Sequence, residues 1–199
     1  MDIEKRVEWR GIEGLVYAEV LEDTSTAYRT GEVKDFSGVA ELSKTTESSN
    51  EAHYYDNIPA VVVGSTGSDE VTITVSAIPL KVIADITGQT YDESLGLLIE
   101  GERVSKYFAI GYVTEKTDGT KVYVWRLKGT FNIPDSTHTT KNDGTDANGQ
   151  EVVFTGISTT HAFAKGGRAR AVTVEEGKGA DLSTFFEEVT TPDTLKSVA

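Results

Sequence analysis

The sequence predicts a mainly β domain: a two-sheet β-sandwich or partly closed barrel with one or two short flanking α-helices and a long loop after the first strand. Three observations lead there. The chain is rich in Thr and Val, with Gly, Asn and Asp as punctuation, a texture that suits pleated strands. Apolar segments are short and separated by turn signals. Only one stretch, from Pro79 to Gly88, carries both a helical start and a helical stop.

The elements follow in order. Leu15–Leu21 reads as a first strand. Residues 22–57 are rich in Thr, Ser and Glu with scattered apolar positions, and read as a short hairpin or edge strand followed by a long solvated loop. Such a loop inside a compact domain usually serves contacts. Too few apolar residues hold it together, so it is expected to be disordered until a partner orders it. Ile58–Val63 and Val71–Val75 flank the turn-rich Gly64–Asp69, and the second alternates, with Val71, Ile73 and Val75 on one face. Leu80, Ile83 and Ala84, with Val82 and Ile86 beside them, form the apolar stripe of the helix. Two turns are too short to be stable alone, so this helix must dock on a sheet.

Tyr107–Val113 and Lys121–Leu127 form the strongest strand pair, joined through Asp118-Gly119, whose positive φ suits a hairpin turn. Glu151–Ile157 and Ala169–Val174 complete the strands. Leu182, Phe185, Phe186 and Val189, spaced i, i+3, i+4, i+7 behind Asp181 as N-cap, predict a second helix. The organisation is one domain over 1–199, with 22–57 as a contact arm and about 190–199 as a C-terminal tail.

Composition excludes several classes of function. With 19 Lys+Arg against 32 Asp+Glu the net charge is -13, and no segment is basic, which argues against binding nucleic acid or anionic lipid. No cysteine is present, which removes disulfides, thiolate metal sites and a Cys nucleophile. The mixed-charge start at Met1–Arg6 resembles no secretory signal, and no apolar run approaches the ~20 residues of a membrane span. A soluble chain made in a cytoplasm is expected, with no membrane partner.

Catalytic signatures are also missing. His53, His138 and His161 sit at no metal-ligand spacing. No Ser occupies a nucleophile elbow. Asp143–Gly149 superficially suggests a calcium loop, but Phe154 stands where the closing Glu would be needed. No enzyme activity, metal or cofactor is expected. Gly166-Gly167, flanked by Lys165, Arg168 and Arg170, is the one basic cluster, and as a hairpin tip it could reach an acidic patch on a neighbouring copy.

Several segments in series resemble a known family. They are Gly11–Ala18, Tyr54-Tyr55-Asp56-Asn57, Val71–Leu80 running into a helix ended by Gly88, Thr90-Tyr91-Asp92, Tyr107–Tyr112, Val124–Phe131 and Phe185–Pro192. Together they resemble the major tail proteins of long-tailed bacteriophages, most closely the phi13-type group, over about residues 10–192. The segment Lys141–Gly149 matches least. The resemblance implies a subunit of hexameric rings that stack into the tail tube, through which the genome leaves the capsid. It implies a virion location after assembly in a host bacterium. It also implies tape-measure, tail-tip and terminator proteins as partners, and duplex DNA passing through without specific binding.

An acidic lumen would repel the polyanion and let it slide. The candidate lumen acids are Glu13, Glu19, Glu100, Glu102, Glu115 and Asp118. The candidate inter-subunit contacts are Glu22, Tyr28, Arg29 and Phe36 in the arm, and Lys165, Arg168 and Arg170 in the basic tip. The alternative is a secreted or surface carbohydrate-binding module, in which Trp9, Trp125, Tyr54 and Tyr55 would stack on sugars. Within the phage reading, a minor tail or terminator component is the near alternative.

Overall fold

The computed structural model describes residues 6–55, 57–140 and 148–198. Its strands are β1 (Trp9–Asp23), β2 (Tyr28–Thr30), β3 (Lys34–Asp35), β4 (Val39–Tyr55), β5 (Ile58–Val75), β6 (Thr90–Asp92), β7 (Leu97–Ile99), β8 (Phe108–Lys116), β9 (Lys121–Phe131), β10 (Gln150–Gly156), β11 (Ala162–Phe163), β12 (Gly167–Arg168) and β13 (Ala171–Glu175). One helix, α1 (Leu80–Thr87), lies between β5 and β6. The mainly β class with a flanking helix is therefore the class of the fold.

Nine strands join in one antiparallel sheet along the path β2-β1-β8-β9-β10-β5-β4, with β13 added to β9 and β3 to β1. The sheet curls so that residues of its two halves share one core. Leu15, Tyr17 and Ile110 from β1 and β8 pack in the same cluster as Val71, Ile73, Val152 and Phe154 from β5 and β10. β4 comes close to β1, but the two share no ladder, so the barrel is not closed.

The central strands β1, β8 and β9 are covered on both faces. Alternate residues enter the shared core, and Val16, Ala18, Ala109, Trp125 and Leu127 enter a second cluster on the other side with Val172, Phe185 and Val189. This explains the unbroken apolar runs Leu15–Ala18 and Phe108–Val113. A strand buried on both faces has no polar side to alternate with. The second cluster is closed by the C-terminal segment, so Thr190 and Thr191, expected in the C-terminal tail, are buried.

α1 docks as expected. Val82, Ala84 and Ile86 are buried, while Leu80 at its start stays exposed. Gly88 takes φ 71° and its N–H reaches the Ala84 carbonyl, the left-handed stop that glycine adopts without strain. Tyr17 on β1 donates from its hydroxyl to Asp85 at 2.9 Å, which ties the helix to the sheet.

Two expectations are corrected. Residues 183–189 form turns, and no α-helix runs from Leu182 to Val189. An α-helix would offer the Phe185 carbonyl to the Val189 N–H. Here that carbonyl accepts from Trp125 Nε1 at 2.9 Å and from the Thr190 hydroxyl at 2.9 Å, and the backbone closes shorter i→i+3 bonds instead. The second correction is larger. Residues 22–57, expected to be a short hairpin or edge strand followed by a long loop, hold β2, β3 and all of β4, a strand of 17 residues paired with the 18 of β5. Gly64–Asp69, expected to be a turn, runs inside β5. The chain reverses between Tyr55 and Ile58, with Asn57 at φ 64°.

Candidate functional site

The β4–β5 ribbon pairs the two longest strands among the described residues. Its root belongs to the sheet, because β10 pairs with β5 from Gln150–Val75 to Gly156–Asp69. Beyond Asp69, β5 has β4 as its neighbour and no other among the described residues, and β4 ends the sheet path. The distal part, residues 47–55 of β4 and their partners, runs about 30 Å at ~3.3 Å per residue with both edges free. Free edges expose unpaired N–H and C=O groups that can accept another strand. A two-stranded ribbon without support is marginal in water.

The tip is apolar on both faces. Tyr54, Ile58, Val61, Val62 and Val63 are between 49% and 66% exposed. Val62 points opposite to Val61 and Val63, so no single surface of the same molecule could cover all three.

The outward face of the ribbon root is acidic and hydroxyl-rich. Cross-strand partners share a face, and Glu41 stands opposite Thr74, which stands opposite Glu151. Ser43 lies opposite Thr72, and Thr45 opposite Glu70. Glu41, Glu70 and Glu151 are exposed and make no ion pair among the described residues. β5 and β10 contain no Lys or Arg. The one Lys of β4, Lys44, lines an open groove with Trp9, Ile12, Leu42 and Tyr112, which Glu41 also borders.

The acids expected from the sequence to line a lumen stand away from the ribbon. Glu13 pairs with Lys121 at 2.7 Å, Glu19 with Lys106 at 3.0 Å and Glu115 with Arg10 at 2.8 Å. Asp118 holds the Thr120 N–H in the β8–β9 turn, and those bonds keep its carboxyl below the usual range. Glu100 and Glu102 are exposed between β7 and β8. The β1–β8 acids are thus locally neutralised, whereas Glu41, Glu70 and Glu151 are not. Sequence reading did not single out these three, because what sets them apart is the cross-strand register and the lack of a paired cation, neither of which shows along the chain.

The expected contact residues divide. Lys165 and Arg168 are exposed at the β11–β12 hairpin. Glu22 and Arg29 face each other across β1 and β2 at 3.8 Å. Tyr28 is half-buried, its hydroxyl donating to the Leu127 carbonyl and its ring against Phe163. Phe36 is 2% exposed, packed edge-on to Tyr17 at 5.6 Å and against Phe131, so it is core and not a surface contact. Arg170 is engaged by Asp69 at 2.9 Å.

Of the aromatic residues expected to stack on sugars, Trp125 is fully buried, while Trp9 and Tyr54 are exposed on different elements. The Asx-rich loop lies outside the described residues through Ala147. Among the described residues, no group of three or more His, Asp or Glu converges as a metal site, and no helix is long and apolar enough to cross a membrane.

The site is therefore an extended, two-edged β-ribbon on a mainly β body. No protein-family model matches the chain, and no curated protein matches its sequence.

Proposed function

We propose that this chain is a self-assembling structural subunit, the ring-forming protein of a phage tail tube, and that its ribbon joins neighbouring copies. The ribbon carries the reading. It combines two free edges with a tip that is apolar on both faces, and both features disappear only when other chains cover them. A second copy of the chain is the occupant that the family resemblance implies. A contact between the ribbon of one copy and a different surface of the next is heterologous, and heterologous contacts close into rings or extend as filaments. On this reading the acidic, hydroxyl-lined face of β4, β5 and β10 borders the channel. Its uncompensated Glu41, Glu70 and Glu151 repel duplex DNA, which carries one charge per ~1.7 Å. The role is not catalytic, and the partners are other copies, the remaining tail proteins and DNA in transit.

Negative-stain electron microscopy over a range of protein concentrations tests this. Hollow rings or tubes of uniform width are the expected result. A chain that stays monomeric throughout, including in a mixture with its own phage's tail-tip complex, overturns the reading.

A further inference from the structure

We infer that the buried ionic cluster at the root of the ribbon is a pin that sets the direction in which the ribbon leaves the body. Asp69 is the last residue of β5 to face a partner on β10. At that point its carboxylate turns inward and accepts from three groups. Arg126 Nη1 of β9 lies at 2.6 Å, Arg170 Nη1 just before β13 at 2.9 Å, and the Thr46 hydroxyl of β4 at 2.8 Å. The Asp69 and Arg126 side chains are 4% and 9% exposed. The acceptor thus belongs to the ribbon, and both cations belong to the body.

The position of this cluster is what gives it a mechanical role. One step outward, the β4–β5 register shifts between Thr46 and Ser48. Such an irregularity bends a strand and sharpens its twist, so the direction of the ribbon beyond it is set at this point. Sheet support ends on one side of Asp69 and the irregularity begins on the other. Two guanidinium groups, held at different places, clamp the carboxylate from two directions and remove the freedom to rotate about the root. Arg170 is itself anchored, its carbonyl accepting from the Leu127 N–H at 3.0 Å. The Nε atoms of both arginines are buried without a partner, so the charge-assisted bonds that these side chains make run through Nη to this one carboxylate. Burying two cations and an anion is a poor route to stability alone, because desolvation offsets most of the attraction. Fixing one geometry is what the arrangement does well. The inference does not depend on ring formation.

The absence of native cysteine allows a direct test. Spin labels at Asn50→Cys on the ribbon and Glu176→Cys on the body report the ribbon's direction by pulsed dipolar spectroscopy, with labelled chains diluted in unlabelled protein. The parent is expected to give one narrow distance distribution, and Asp69→Asn to broaden it roughly twofold or more, as for a locally released segment. Asp23→Asn, which breaks a comparably buried pair away from the ribbon, is expected to leave the distribution unchanged. Should Asp69→Asn fail to fold, Thr46→Val and Arg170→Gln carry the test, each with smaller broadening. A folded Asp69→Asn with the parent distribution, or parent distributions in both milder variants, overturns the inference. Equal broadening in Asp23→Asn also overturns it, because that would report general loosening.

Discussion

Trp125 Nε1 donates to the Phe185 carbonyl at 2.9 Å, joining the middle of the central strand to the C-terminal segment 60 residues later. The bond lies inside the second core, where Phe186 packs on Trp125 with ring centroids 5.6 Å apart. The C-terminal segment is therefore a wall of the domain. Phe185→Ala is expected to cost about 3–5 kcal/mol by emptying a core position. Trp125→Phe is expected to cost less, about 1–3 kcal/mol, by leaving a buried carbonyl one donor short. Urea unfolding followed by circular dichroism measures both.

Gly111 faces the same cluster. A Cβ there would meet Phe186 at 2.8 Å, Val16 at 2.9 Å and Trp125 at 3.0 Å. Gly111→Ala is expected to overpack this layer at a cost of about 1–3 kcal/mol. Gly119→Ala meets no neighbour, and it tests backbone strain alone at φ 89°. Thermal unfolding separates the two, with Gly111→Ala the more damaging.

Lys128 and Asp23 form a second buried pair, 2.6 Å apart, with side chains 10% and 4% exposed. Asp23 also accepts from the N–H groups of Thr160 and His161, so it organises the loop before β11. Lys128→Met is expected to destabilise by about 3–5 kcal/mol, because it leaves a buried carboxylate without its cation. Replacing both residues by apolar ones is not expected to restore the parent, since two backbone donors then lose their acceptor. Denaturant midpoints of the single and double variants decide this.

Acid should unfold the protein through the same carboxylates. Burial alone raises the Asp23 and Asp69 carboxyls. At Asp23, Lys128 and the two N–H groups more than reverse this. At Asp69, Thr46, Arg170 and Arg126 do the same, so both groups sit below the ordinary value. A lowered folded value means that the unfolded chain binds the proton first. The stabilisation is complete above the unfolded aspartate value of about 3.9 and disappears as pH falls through the folded values. The melting temperature is expected to be flat from pH 7 to about pH 5 and to drop below about pH 4, with a shallower drop in Asp69→Asn.

Alkali acts with the opposite sign. Burial, then the hydrogen bond to Asp85, pushes the Tyr17 hydroxyl far above its usual range, and burial with the Asp23 charge does the same to Tyr28. The native state keeps these protons longer than the unfolded chain does, so stability is lost as pH rises past about 10. Absorbance at the tyrosinate band should show Tyr17 and Tyr28 titrating only with unfolding.

Reversal of the acidic face tests the proposed channel lining. Glu41→Lys, Glu70→Lys and Glu151→Lys together are expected to leave assembly intact and to slow DNA ejection, an effect that salt should weaken. Reversing Glu13, Glu19 and Glu115 instead places like charges beside Lys121, Lys106 and Arg10 and is expected to lower the melting temperature. Ejection assays with the first set and melting curves with the second distinguish the two faces.

The strands Val71–Val75, Lys121–Leu127 and Glu151–Ile157 were legible because each turns alternate side chains into a core, and α1 because proline and glycine bracket it. Local composition by itself determined the β class, the docked helix and the acidity. The ribbon was not legible. A strand exposed on both faces has no inside, so the two-residue period that reveals strands is absent from residues 46–55, and Thr, Ser, Glu and Asn there read as loop. The segment 182–189 has true helical spacing, yet a tryptophan 60 residues away takes the carbonyl on which the helix would depend. The Asp69 cluster draws on Thr46, Arg126 and Arg170, which only the curl of the sheet brings together. Spacing along the chain determines what each segment can bury. Which carbonyls are captured, which acids are paired and which strand edges stay free depend on partners far away in sequence, and the tertiary structure alone decided them.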